Sequence, residues 1–235
     1  MNQTTTLSTE LTELGVRVQN RWLQSLLDYL AKKHSTGANT TPQLVMQYLV
    51  ASDIRESTTS EGAAPYIVSE QHNVRIENTM LLQIVRVREI GISIVNQLEY
   101  LNDLEELKKL KGQKVIRLVH DESGDEEQND DDGLTEAQDA VQKGSELKKM
   151  CRLILEDSNG QRFWGLERKP IKGIQLSTKL GTKLLVKNVL VRRGVLMLDP
   201  NNTTILGGSI EEWDKDYFPK RLIEELKGEL SKTKA

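Results

Sequence analysis

The chain has 235 residues, 37% of them hydrophobic, 4% aromatic and 29% charged, with a formal net charge of −3. That length allows one or two domains with an apolar core, and no apolar run approaches the roughly 20 residues a membrane-spanning helix needs. The start, MNQTTTLSTE, lacks the basic and apolar segments of a secretory leader, and the single cysteine, Cys151, excludes an internal disulfide and fits a reducing compartment.

Leu11, Leu14, Val18, Trp22, Leu26 and Leu30 recur every three or four residues, which predicts one amphipathic helix. STGANT breaks it. Thr40 or Thr41 then supplies a capping hydroxyl and Pro42 a first helical residue, so a second, short helix follows with Leu44, Val45, Tyr48 and Leu49 on its apolar face. The triplet SDI at 52–54 reads as a helix end, and RESTTSEGAA at 55–64 as a loop.

Strands come next. The run MLLQIVRVREIGI at 80–92 is β-branched and apolar. Its alternation changes phase, with Met80, Leu82 and Ile84 on one face and Val85 and Val87 on the other, as a β-bulge would produce. Further strands are predicted at 150–156, 162–166, 182–191 and 195–198, with turns at SNG (158–160) and RRG (192–194). Another strand-like fragment, TTILGG, follows DPNN. Cys151, in the apolar run CRLILED, reads as a small buried hydrophobe. Short strands with tight turns and no alternating helices predict a small barrel, and a five-stranded OB-fold is the natural topology. A charged helix closes the chain, with Ile210, Trp213, Tyr217, Leu222 and Leu226 inward and a break or kink at Pro219.

More than 50 residues separate the first barrel strand from the second. Residues 94–110 carry Leu98, Leu101, Leu104, Leu107 and Leu110, with Glu105 and Lys109 four apart, which predicts a short helix. DESGDEEQNDDD at 121–132 has eight acidic residues and no basic or aliphatic ones, a composition expected to stay disordered. The class is therefore α+β, mainly β: an N-terminal helical region (1–64), an OB-fold domain (65–226) with an insertion at about 94–147, a C-terminal helix, and a flexible tail at 227–235.

No motif for catalysis stands out. His34, His72 and His120 are scattered, no zinc pattern or phosphate-binding glycine loop is present, and Asp130, Asp131 and Asp132 lie in a tract too polar to be held rigid. No metal or cofactor is expected, and the chain reads as a non-enzyme.

Charge is unevenly spread. Residues 98–147 hold 15 Asp/Glu against 6 Lys/Arg, and residues 148–200 hold 12 Lys/Arg against 4 Asp/Glu. Lys148, Arg152, Arg162, Arg168, Lys169, Lys183, Lys187, Arg192 and Arg193 are candidate DNA-binding cations if clustered. Ordinary solvated strand faces, or an acidic protein partner, account for them equally well. The expected strands carry only Phe163 and Trp164 as aromatic residues, which point to opposite faces, so a tight binder built on base stacking is disfavoured. Weaker, salt-sensitive DNA contact or protein docking remains.

The run GTKLLVKNVLVRRGVLMLDPNNTTILGGSIEEW at 181–213 resembles the barrel end of the RecQ-mediated genome instability protein 1 family, with its GTK-type strand, glycine turn and LGG step before a helix. YLVASDIRES at 48–57 is similar to that family's SDLR segment, and the insertion falls at the family's position. No second barrel follows, so the chain looks like a short, fungal-type member. The resemblance implies a nuclear, non-catalytic partner of topoisomerase III and a RecQ helicase, acting in double Holliday junction dissolution. It also implies that the inserted loop modulates strand passage; the residues themselves, read as an amphipathic helix, make the five leucines above candidate partner contacts, with packing on their own barrel or helical domain as the alternative. The alternative is a free-standing OB-fold DNA-binding protein of replication or repair, with weak to moderate affinity for single-stranded or junction DNA.

Overall fold

The computed structural model describes residues 3–33, 40–62, 72–120 and 150–233. The acidic tract at 121–132 and Lys148 lie outside them. The chain divides into two compact units, one built from residues 1–88 and 150–215, the other from 89–149 and 216–235.

In the first unit, four helices precede the sheet: α1 (Gln3–Glu13), α2 (Asn20–Lys33), α3 (Pro42–Ala51) and α4 (Ile54–Ser57). The single helix expected across 11–30 is two. Gly15 takes a left-handed φ of +85°, Val18 forms an isolated antiparallel bridge to Thr58, and the Gln19 amide donates to the Ser57 carbonyl at 2.9 Å. Leu14, placed on the apolar stripe by spacing, is 55% exposed, whereas Val16 and Val18 are buried. Spacing alone passes over the break; Gly15 beside two β-branched valines is its signal. Helix α3 starts as expected, with the Thr41 hydroxyl accepting from the Leu44 amide and Pro42 at the first position. The loop expected at 55–64 holds α4, capped by Asp53, and a 3₁₀ turn at Ser60–Gly62.

Eight strands follow: β1 (His72–Ile76), β2 (Met80–Glu89), β3 (Cys151–Glu156), β4 (Arg162–Glu167), β5 (Lys183–Val186), β6 (Val189–Arg192), β7 (Val195–Leu198) and β8 (Thr203–Gly207). Their order is β1-β6-β7-β4-β3-β2-β5-β8. The strand expected at 182–191 is β5 and β6, divided by a corner where Asn188 takes φ +51°. Strand β1, which no expectation covered, is the first half of the β2 strand bent at 77–79. The two bent strands pair antiparallel on both sides of the corner, Ile76 opposite Val189 and Met80 opposite Val186. Because β1 joins one end of the order and β2 lies near the other, the sheet curls back on itself. With the parallel β4–β7 pair, this is the expected OB-fold, and β8 extends it beside β5.

Inside the curl pack Met80, Leu82, Ile84 and Val87 of β2 with Cys151, Leu153, Leu155, Phe163, Leu184, Val191, Leu196 and others. The inward set passes from 84 to 87, so the phase change read from the sequence is real. Two motif glycines sit where backbones touch. A Cβ on Gly181 would lie 2.5 Å from the Ile210 nitrogen, and one on Gly208 would lie 2.0 Å from the Val50 carbonyl oxygen. Both also take positive φ, so only glycine fits. Helix α6 (Glu211–Asp214) closes the unit, its Asp214 carboxylate accepting from the Leu180 amide at 3.0 Å.

The described residues of the second unit are mainly helical. Helix α5 (Ile94–His120) runs ten residues past the expected end at Leu110. It packs on a π-helical turn, Tyr217–Arg221, and on α7 (Leu222–Thr233). Tyr217, Leu222 and Leu226 are buried, as their spacing predicts. The closing helix is interrupted at Asp216, in the left-handed region, and at Phe218, so the break precedes Pro219. Residues 227–233, read as a flexible tail, continue α7.

Candidate interaction surface

Side chains alternate across a strand, so the sheet that buries one row inward must dispose of the other outward. The two halves of this outer face differ. Over β2, β5 and β8 it is covered by the helices: Leu81, Leu185 and Leu206 join a core with Leu11, Leu23, Leu26, Val45, Leu49 and Ile54. Over β3, β4, β7, β6 and β1 no described side chain joins that helical core, and Trp164, Arg152 and Arg192 are exposed; this is the open half.

A polar row edges the covered half. Gln83 stands opposite Lys183, and Glu156 opposite Arg162. The Gln83 amide nitrogen donates to Asp53 Oδ1 at 2.9 Å and to Glu156 Oε2 at 3.0 Å, and its oxygen accepts from the Ile54 amide at 3.2 Å. Arg55 Nε donates to Asp53 Oδ2 at 2.8 Å, and its guanidinium lies 5.8 Å from the Trp213 ring centre. Arg162 Nε donates to Glu156 Oε1 at 3.2 Å. One glutamine thus ties a helix start to two strands. Burial pushes the Asp53 carboxyl up, but the hydrogen bonds from Arg55 and Gln83 outweigh it and hold the group below the usual carboxylate value.

Lys183 ends this row. It is fully buried, and its Nζ has no hydrogen-bond partner among the described residues. Burial pushes its pKa down to about 8, against the opposing pull of the Asp53 charge. Its candidacy as a DNA contact is therefore withdrawn: on β5 its outward position is the one the helices cover.

On the open half the register sets two rows. One runs Ile154, Trp164, Val195, Arg192, His72; the next runs Arg152, Leu166, Met197, Leu190, Arg75. The Arg152 guanidinium lies 4.6 Å from the Trp164 ring centre, and Trp164 is 45% exposed. Ile154, Leu166, Leu190, Val195 and Met197 are half-buried. Neither row contains a carboxylate. Glu167 points inward, where it accepts from the amides of Cys151 and Ile171.

The exposed candidates do not form one track. Arg168 and Lys169 follow the end of β4 and Lys187 marks the β5–β6 corner, while Arg192 and Arg193 lie at the opposite end of β6 and Arg162 at the start of β4. The parallel β4–β7 pairing and antiparallel β6–β7 pairing put these groups at two ends of the strands, with apolar side chains between. Of the insertion leucines, Leu98 and Leu101 are buried and Leu104 and Leu107 half-buried, while the Leu110 side chain lies outside the described residues. Glu105 and Lys109 pair at 3.5 Å as their spacing predicts.

Sequence reasoning missed the Asp53–Gln83–Glu156 lattice and the apolar centre of the open half. Gln83 inside MLLQIVRV was a signal: an amide in an otherwise apolar strand needs partners. Phe163 inward, and hence Trp164 outward, was another.

Comparison with known proteins matches residues 11–57 to a family model described as "RMI1, N-terminal helical domain" and residues 64–221 to one described as "RMI1, N-terminal OB-fold domain". Similar curated proteins carry the name RecQ-mediated genome instability protein 1. The one from Arabidopsis thaliana is 40% identical over 34% of this chain and 12% of its own length. The Gallus gallus protein is 24% identical over 91% of this chain and 31% of its own length, and the Danio rerio protein is 24% identical over 90% and 37%. The chain thus spans about a third of the length of the vertebrate relatives it matches.

Proposed function

Because the chain belongs to the RecQ-mediated genome instability protein 1 family, we propose that it is a non-catalytic subunit that maintains genome stability by assembling with topoisomerase III and a RecQ-family helicase. In this reading the assembly dissolves double Holliday junctions in the nucleus. The inserted segment modulates strand passage by the topoisomerase, and the exposed barrel cations give weak contact with DNA.

The observation that carries the reading is the use to which the fold puts its surfaces and charges. Among the described residues the N-terminal helices cap one half of the barrel's outer face and not the other, where Trp164 is exposed, which suits a binding module. The buried or half-buried acids of the first unit include Asp53, Glu156, Asp157, Glu167, Asp199 and Asp214, and each accepts hydrogen bonds from neighbouring arginines, amides or Gln83. They hold the structure together.

Mixing the full chain with topoisomerase III and separating by gel filtration tests the proposal: a stoichiometric complex is expected. In a mobility-shift titration the isolated chain should bind DNA weakly; tight, steeply salt-dependent binding with no complex would favour the free-standing DNA-binding barrel instead. Deleting 121–132 should leave assembly intact and alter decatenation. Unchanged decatenation would remove the insertion from the mechanism.

A further inference from the structure

We propose that the open half of the barrel's outer face, centred on Trp164, Leu166, Leu190 and Met197, seats an amphipathic segment of a protein partner, apolar along its middle and carboxylate-bearing along both edges. This rests on the reading of the chain as an interaction subunit and names the face and the partner's chemistry.

The covered half supplies the first argument. There the same outward alternation is met by the chain's own helices, which lay leucines on Leu81, Leu185 and Leu206 and set Asp53 against the polar row. The open half offers a similar aliphatic floor whose side chains are absent from the core built with the N-terminal helices. An exposed indole adjoining five half-buried aliphatics is costly to leave in water and is the kind of patch that marks a docking surface.

Charge identifies the occupant. Arginines stand at both ends of the two rows, Arg192 at one end and Arg152 towards the other, with Arg75 at the β1 margin, and neither row carries a carboxylate; Arg162, beyond the first row, already pairs with Glu156 at 3.2 Å. A complementary partner brings carboxylates at its edges and apolar groups between them. Single-stranded nucleic acid fits less well. Its phosphates need a continuous cationic track and its bases need stacking platforms, whereas here the cations are divided and the two rows hold one indole, Trp164, with the His72 imidazole far off at the β1 margin. That ring already carries the Arg152 guanidinium at 4.6 Å.

The experiment uses the full chain with topoisomerase III, and an oligothymidine as the nucleic-acid probe. Met197→Glu and Leu190→Glu should each weaken the protein complex at least tenfold, and Arg152→Glu with Arg192→Glu severalfold with a shallower salt dependence. Hydroxyl-radical footprinting of the unmodified chain gives a readout independent of variant folding: Trp164 and Met197 should become protected in the complex. A complex that forms normally with all variants and leaves both side chains unprotected overturns the face while leaving the proposed function standing. Protection by oligothymidine but not by the protein overturns it in favour of nucleic acid. Failure of the wild type to form any complex overturns both.

Discussion

The two halves of the barrel's outer face share an alternation pattern and differ in what answers it. On the covered half, Leu81, Leu185 and Leu206 meet a helical core, and the polar residues between helices and strands are tied by Asp53, Arg55 and Gln83. On the open half, Leu166, Leu190 and Met197 are half-buried beside the exposed Trp164, Arg152 and Arg192, and none of them belongs to the helical core. Hydrophobic content therefore does not decide which half is covered. The covering helices are placed by specific polar ties and by the contact of Gly208 with Val50, and an open half with neither is left to something outside the fold.

The comparison breaks most visibly in matched truncations. Leu81→Ala removes a buried side chain from the junction of helices and sheet and should cost about 2–5 kcal/mol. Met197→Ala, half-exposed, should cost under about 1 kcal/mol. Urea denaturation of both measures the difference, and equal losses would mean that the open half is as integral to the fold as the covered one.

Next in size is the buried lysine. The Lys183 ammonium has an ordinary value of 10.5 and is pushed down to about 8 in the fold. Below pH 8 both folded and unfolded chains carry the proton, and the full cost of burying the charge, roughly 3 kcal/mol, is present. Between pH 8 and 10.5 the folded form sheds it first, the unfolded chain binds more protons, and stability rises with pH. Lys183→Met should be more stable than wild type at pH 7 and lose this advantage by pH 10.5. A wild-type minus variant difference that stays flat over this range would place the lysine in a wetter setting than its burial indicates.

Much of this was legible beforehand, for reasons visible in particular residues. Thr41 and Pro42 announced α3, alternation announced the barrel strands, and the change of phase after Ile84 announced that the inward row passes on to Val87, because each is a local pattern. The division of the first helix at Gly15 was hidden by a periodicity that continues across it. The lattice was hidden by distance: Gln83 meets Asp53 across 30 positions and Glu156 across 73. Lys183 was misread because a charged residue at an outward strand position looks solvated until the N-terminal helices cover it.

A smaller effect tests the polar ties. Asp53 is held below its ordinary value of 3.8, so its contribution is complete above that pH and is lost as pH falls through the lower folded value. Asp53→Asn keeps a capping side chain but loses the charge facing Arg55 and Lys183. It should lower stability at pH 6 by about 1–2 kcal/mol and narrow the gap with wild type as the pH approaches 3. A gap that persists unchanged into acid would assign the effect to packing.

The smallest expected change lies on the open half. Arg152 sits over Trp164 with its own backbone in β3 and its side chain exposed. Such a contact contributes about 0.5–1 kcal/mol at an exposed site. Arg152→Ala should therefore move the urea-derived stability by about 0.5 kcal/mol, while shifting the Trp164 fluorescence as one face of the indole returns to water. The pairing of a near-silent stability change with a clear spectroscopic one is what a surface feature produces. A loss above about 2 kcal/mol would show that the arginine helps to hold β3 against β4, and the open half would then owe its residues to folding, with less left to attribute to a partner.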